Sequence, residues 1–283
     1  MLLNIGFLIP RHHRSVTTTQ GYVFMTGGIQ ITQKDSEKQK IMRDAYILNF
    51  EKRTLVPVAK MLIGRIEHNL VVLNDEIYAI GGYTDQDKFT GSCEKYCPRE
   101  DSWTQLPSLK TPCHNSSTCT VNNRYIYRIG GKLDYNQMIE RIDRFDVSLN
   151  RWEEINLDFS CLPQSSKAYF HILSLSASVQ VTYDSILVFG GTHQVYTEKS
   201  RSSFMLKLKK DGICKEKAEV HQVLAVNEHQ LPTAEGFWSQ QVIVHDRKLF
   251  ALQNISMEEQ GTNVCLDKRR VLMFDNNKFT AIS

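Results

Sequence analysis

The sequence predicts an all-β fold assembled from repeated four-stranded sheets, and three observations lead there. Short apolar runs end in paired glycines four times: residues 22–26 before Gly27 and Gly28, 77–80 before Gly81 and Gly82, 126–129 before Gly130 and Gly131, and 186–189 before Gly190 and Gly191. A fifth run, residues 249–252, is followed by Gln253 and Asn254 instead. The first positions of these pairs are 54, 49, 60 and 63 residues apart. Aromatic landmarks then follow at fixed distances: Tyr96 and Trp103 lie 15 and 22 residues after Gly81, and Phe145 and Trp152 lie 15 and 22 after Gly130. A period near fifty with glycines closing a β-branched and aromatic strand marks the blade of a β-propeller.

Each repeat reads as four antiparallel strands. The first covers residues 15–19, 69–73, 117–121, 177–181 and 239–244 in the five repeats. Turn formers such as Asn74 and Asp75, or Asn122 and Asn123, separate it from the second strand, the one that ends in glycines. The third strand alternates polar and aromatic residues, as in Glu94, Lys95, Tyr96 and Asp143, Arg144, Phe145. The fourth opens at Trp103 or Trp152 and stops in a turn, as at Pro107. The seven-residue step between these two strands survives without aromatic rings at Leu48 and Leu55, and at Leu206 and Ile213; the fifth repeat keeps only Phe274.

The glycine pairs permit backbone angles that a Cβ forbids and let a neighbouring backbone come close. The large rings of Tyr96, Trp103, Phe145 and Trp152 suit the seal between adjacent twisted sheets, each burying roughly 150–250 Å². Gly27, Gly28, Gly81, Gly82, Gly130, Gly131, Gly190 and Gly191 and these four aromatic residues are therefore read as structural. The pattern of Gly-Gly, then Tyr, then Trp seven residues later resembles the kelch-repeat family over nearly the whole chain. The match is strongest in the second and third repeats.

The expected architecture is one kelch-type propeller domain over residues 1–283 with five four-stranded blades. After Phe274 the tryptophan position falls near Ala281, close to Ser283, so the last repeat is short of a fourth strand. Residues 2–10 form an apolar run where a preceding blade's fourth strand belongs. The expectation is a ring closed by this N-terminal strand, paired near Phe274, which removes exposed sheet edges. A six-bladed ring, or a fragment of a larger propeller, is the alternative.

Composition narrows function. The chain has 34 Lys and Arg against 31 Asp and Glu, a net charge of +3. That balance argues against a nucleic-acid binder driven by phosphate contacts. No segment reaches the ~18 apolar residues of a membrane helix, and residues 2–10 lack the flanks of a secretory signal, so no membrane role and a cytoplasmic location are expected. The seven cysteines (Cys93, Cys97, Cys113, Cys119, Cys161, Cys214, Cys265) form no paired spacing and read as reduced thiols. Without a Cys-x-x-Cys or His-x-x-x-His pair, no metal and no cofactor are expected.

No nucleophile elbow, zinc-protease helix or phosphate loop is present, so no catalytic residue and no enzyme activity are expected. The resemblance implies a rigid disc that acts as a protein-interaction scaffold or adaptor and binds another protein on one loop face. Relevant loops are residues 83–89, 132–136 and 192–196, together with the lead-in positions sixteen residues before each Gly pair. Arg11, Arg65 and His114 share that position. The guanidinium forks of Arg11 and Arg65 suit an acidic or phosphorylated peptide segment of the partner. Tyr83, Tyr135 and Tyr196 add apolar contact with a polar tip. Two alternatives follow from the family. One is a substrate-recognition subunit of a ubiquitin ligase working with a separate module; the other is binding to cytoskeletal assemblies, actin or ciliary. An enzyme or small-ligand site in the central channel ranks last.

Overall fold

The structure is a computed structural model that describes residues 13–30, 40–49, 52, 54–85, 89–134, 137–139, 141–162, 174–192, 203–210, 216–223, 242–245, 248–258, 265–275 and 278–282. Every described element with regular pairing is a strand. In the first unit β1 (Arg14–Thr17), β2 (Val23–Thr26), β5 (Ala45–Asn49) and β6 (Thr54–Val58) form one sheet, and β3 (Ile29–Gln30) and β4 (Lys40–Ile41) make a small hairpin beyond it. The second unit comprises β7 (Asn69–Leu73), β8 (Glu76–Ile80), β9 (Cys93–Cys97) and β10 (Ser102–Leu106). The third holds β11 (Ser117–Val121), β12 (Tyr125–Ile129), β13 (Ile142–Asp146) and β14 (Arg151–Asp158). The fourth holds β15 (Ser174–Thr182), β16 (Ser185–Thr192), β17 (Ser203–Lys210) and β18 (Glu216–Val223). The fifth holds β19 (Val242–His245), β20 (Lys248–Glu258), β21 (Cys265–Asp275) and β22 (Lys278–Ile282). Within each unit consecutive strands pair antiparallel. The first strands β1, β7, β11, β15 and β19 lie side by side in sequence order, which is the blade arrangement of a propeller.

The rings of Tyr96, Trp103, Phe145 and Trp152 lie at the contacts between blades. Phe24 of the first blade meets Tyr96 and Trp103 of the second, with ring centroids 5.0 and 6.3 Å apart. Tyr78 meets Phe145 at 6.5 Å, and Phe145 meets Trp152 at 5.0 Å. Each tryptophan also reaches the residue just after the preceding blade's fourth strand: Trp103 Nε1 donates to the Ala59 carbonyl at 2.8 Å and Trp152 Nε1 to the Pro107 carbonyl at 2.9 Å. A hydrophobic ring with a satisfied N–H thus fixes the angle between blades. Tyr96 pairs with Trp103 and Phe145 with Trp152 across the ladder, and Leu48 with Leu55 in the first blade.

The glycine pairs repeat a conformation as well as a sequence. Gly81 has φ +62° and Gly82 φ +104°, and Gly130 and Gly131 repeat this at +61° and +101°. A Cβ on Gly81 would sit 2.6 Å from the Cys113 carbonyl oxygen of the next blade, and one on Gly82 2.6 Å from that of Ile66. At the opposite end, the turns between first and second strands link blade to blade. Asn74 donates to the Asn123 carbonyl at 3.1 Å, and Asn122 to the Tyr183 carbonyl at 3.0 Å.

The later units depart from expectation. β16 runs through Gly190 and Gly191 to Thr192, so those glycines do not end the strand. Leu206 pairs with Val220, not with Ile213, because the fourth blade's outer hairpin is longer than seven residues. With Gln253 and Asn254 in place of glycines, β20 continues to Glu258, paired to Cys265. β22 fills the fourth position of the fifth sheet, with Phe274 opposite Phe279, so the gap assigned to the N-terminal strand beside Phe274 is already occupied. Residues 2–9 lie outside the described residues. The third and fourth sheets also join: residues 156–158 of β14 pair parallel with residues 217–219 of β18, giving one eight-stranded sheet.

Candidate functional site

The end of the blades where the glycines turn gathers polar and aromatic side chains from three blades. Two short backbone bridges build it. Ile66 and Tyr83 exchange N–H to carbonyl bonds of 3.0 and 2.8 Å; His114 and Lys132 exchange bonds of 3.1 and 2.9 Å. Immediately after each bridge the chain turns through positive φ, at Glu67 (+54°) and Asn115 (+52°), which throws both side chains outward. Glu67 and Asn115 are therefore equivalent positions. The Asn115 amide N–H donates to the Glu67 carbonyl at 3.2 Å, tying the two loops together.

Around this link sits a compact network. Glu67 Oε2 lies 2.7 Å from His114 Nδ1 and accepts from Asn115 Nδ2 at 3.1 Å. Arg14 Nε donates to the His68 carbonyl at 2.9 Å, and its terminal nitrogen to Asn115 Oδ1 at 3.4 Å. His114 is buried and stacks on Phe89 at 4.6 Å, and Phe89 meets Tyr83 edge-on at 5.6 Å. Tyr83 and Phe89 are half-buried and Glu67 keeps 31% of its side chain exposed. Beneath them His68 is fully buried, with Nε2 2.7 Å from Thr26 Oγ1. Burial pushes its imidazole well below the usual histidine range, reinforced by the positive charges of Arg65 and Arg14. The result is a rigid surface: an aromatic pair and a carboxylate, all backed by buried groups.

The predicted site residues divide sharply. Tyr83 lies at this end and is partly exposed; His114 lies here but is buried as a support. Arg11, Tyr135 and Tyr196 fall outside the described residues. Arg65 is a correction. Its side chain is 0% exposed, so it has no face to offer a ligand. It donates to the carbonyls of Gly81 (2.8 Å) and Ser92 (2.9 Å), to Ser92 Oγ (2.9 Å) and to Glu94 Oε1 (2.7 Å).

Arg65 and His114 are not equivalent either. The β7–β8 turn closes with Leu73 opposite Glu76, whereas β11–β12 closes with Val121 opposite Tyr125, one residue longer. Counting back from the glycines therefore slips by one. Arg65 corresponds to Cys113: the amides of Gly28 and Gly82 donate to the carbonyls of Arg65 and Cys113, at 3.2 and 2.8 Å.

Sequence reasoning missed Glu67, Asn115 and Arg14 as site residues and held Phe89 only as the end of the 83–89 loop. The signal for the first two was the turn after the lead-in residue, where Asn is favoured at positive φ. Phe89 carried no repeat signal. Among the described residues, the one cluster of three metal-capable side chains lies where the outer strands of the third and fourth sheets join. Cys93 and Cys119 are buried thiols whose burial pushes them up to about 12, so both stay protonated at neutral pH.

Fold and site together define a β-propeller of Gly-Gly blades with a rigid loop end. The kelch motif model matches residues 64–110, which span the second blade from its lead-in to its fourth strand. Beta-scruin of Limulus polyphemus is 28% identical over 127 residues, covering 44% of this chain and 14% of its own. Kelch repeat and BTB domain-containing protein 2 of Ectromelia virus is 29% identical over 130 residues, covering 40% of this chain and 23% of its own. F-box/kelch-repeat protein SKIP30 of Arabidopsis thaliana is 26% identical over 147 residues, covering 50% and 42%. The match thus spans less than half the length of each of these relatives. The solved structure of YjhT superposes with a TM-score of 0.63 at 12% identity, over 96% of this chain and 84% of that one, a likeness of fold. The chain carries a kelch motif in its second blade and is similar to kelch-repeat proteins. No described helix is long and apolar enough to cross a membrane.

Proposed function

We propose that this protein is an interaction module whose partner is another protein, docked across the glycine end of the second and third blades. One observation carries the reading: Tyr83 and Phe89 present a partly exposed aromatic pair beside the partly exposed Glu67 carboxylate, on loops locked by buried His114 and half-buried Arg14. Preorganised aromatic groups lose little entropy on binding and form the anchors of protein interfaces. The acidic or phosphorylated peptide remains the finer proposal, but with Arg65 buried it rests on Arg11 alone. The relatives' names pair kelch repeats with BTB, F-box and RING modules. Work alongside such a separate module, as a substrate-recognition subunit, is the second reading.

The test compares capture of partners by the wild type and by Tyr83→Ala with Phe89→Ala. Both rings are half-buried and lie outside the blade cores, so the double variant is expected to keep its circular dichroism and to lose the partner. Full retention of the same partner would place the docking face elsewhere.

A further inference from the structure

The join between the third and fourth sheets brings together three side chains that no local motif connects. β18 turns Ala218 and Val220 into the core, both 0% exposed, so Glu219 and His221 project together from the opposite face. β14 is eight residues long, against five in β10, and its extension carries residues 156–158 alongside 217–219 in parallel pairing. Three residues further, in the turn where Leu162 N–H bonds the Phe159 carbonyl, stands Cys161. Its thiol is exposed, and its sulfur, one carboxylate oxygen of Glu219 and one ring nitrogen of His221 all lie within 4.8 Å of one another.

We infer that Cys161, Glu219 and His221 form a zinc site that staples the third blade to the fourth. The donor set of thiolate, carboxylate and imidazole is the one zinc favours, and three protein ligands leave a fourth tetrahedral position for water. The geometry needs little change. His221 Nε2 stands 3.5 Å from Glu219 Oε2. Metal–ligand distances of about 2.0–2.2 Å put ligand atoms roughly 3.3–3.5 Å apart at tetrahedral angles. The same nitrogen is buried, makes no well-formed hydrogen bond and has the Glu219 carboxylate as its neighbour, a contact that a shared metal would bridge. Lys209 Nζ holds Glu219 Oε2 at 2.5 Å, but its long side chain is half exposed and free to swing into solvent. On binding, Cys161 gives up its thiol proton to solvent as the sulfur–metal bond forms.

The site differs in kind from the kelch landmarks. It depends on the parallel pairing of β14 with β18, which the other described sheets lack. It also gives that pairing a role, since a metal with ligands from the β14 turn and from β18 holds two sheet edges that otherwise share three register pairs and the Lys217–Asp158 ion pair.

The test uses the full chain, stripped of metal and reduced, with cobalt as the optical probe and zinc as the competitor. One equivalent of cobalt should give tetrahedral visible bands and a sulfur-to-cobalt charge-transfer band, both erased by zinc. Cys161→Ser should abolish the charge-transfer band, and His221→Ala should weaken cobalt affinity by roughly tenfold or more. In the unmodified protein, zinc should slow alkylation of Cys161 by roughly tenfold while leaving Cys97 unchanged, read by peptide mass spectrometry. That readout needs no variant to fold. The inference is overturned if no charge-transfer band forms, if it persists in Cys161→Ser, or if zinc leaves the alkylation rate of Cys161 unaltered.

Discussion

Replacing Arg65 tests the repeat register and the buried charge network together. Blades two and three each bury a carboxylate at the same place on the third strand, Glu94 and Asp143, each thirteen residues past its first glycine. The counter-ion comes from different places. In the second blade it is Arg65, from the lead-in loop; in the third it is Arg128, on the second strand directly opposite Asp143 and bonded to it. Where one blade has its arginine the other has a small residue: Ala79 stands opposite Glu94, and Cys113 occupies the position of Arg65. Arg65→Cys leaves Glu94 at 0% exposure with the Leu62 amide, 2.6 Å away, as its described remaining donor. Breaking a buried pair on one side costs about 3–5 kcal/mol. That is a large share of the ~5–15 kcal/mol that holds a domain folded. Adding Ala79→Arg rebuilds the third blade's arrangement in the second, in the space the lost guanidinium vacates. The double variant should recover about 1–3 kcal/mol as a coupling between the two sites. Urea unfolding followed by tryptophan fluorescence measures both. An Arg65→Cys protein within about 0.5 kcal/mol of wild type, the range of an ordinary surface change, would refute the buried-pair argument. A double variant less stable than the single one would refute the equivalence of the two blades.

Other expectations follow from the same geometry. Trp103→Ala and Trp152→Ala should each lower stability by about 3–5 kcal/mol, with the larger loss at the more buried Trp103; urea midpoints decide it, and no loss at either would break the interface assignment. Gly82→Ala should cost about 1–3 kcal/mol for its left-handed backbone alone, and more because a Cβ meets the Ile66 carbonyl oxygen. His68 should make the fold acid-sensitive. Its folded imidazole is held neutral by burial, so the unfolded chain binds the extra proton as pH falls below about 6.5. Stability is fully present above that pH and falls by up to about 1.4 kcal/mol per pH unit down towards the depressed folded value. His68→Asn should flatten the dependence between pH 7 and 5.5; an unchanged slope would show that other groups set it.

The sequence was most legible where residues face the repeat and least where they face function. Strands 69–73 and 117–121 were readable to the residue, because alternation and Asn turns both marked them. The aromatic seal was readable because Tyr96 and Trp103 keep a fixed interval that a two-strand ladder imposes. The outer hairpins of the fourth and fifth blades were not, since hairpins that lengthen by several residues leave composition intact while erasing the interval. At the site, counting from the glycines carried a one-residue error set by a longer turn at Asn122 and Asn123. That single slip set Arg65 level with His114, whereas its side chain is buried against Glu94 with none of it exposed to a ligand. Glu67 and Asn115 came together through the approach of two blades, and Cys161 through a parallel strand pair; neither kind of contact leaves a spacing to read.

The central claim is that the glycine end of blades two and three is the docking face. The most direct measurement introduces a photo-crosslinking residue at position 83, and in a second protein at position 183, where Tyr183 stands 80% exposed on the opposite, Asn-turn end. The account predicts that the protein partner retained by the wild type is cross-linked from position 83 and not from 183. Cross-linking from position 183 with none from 83 would contradict it.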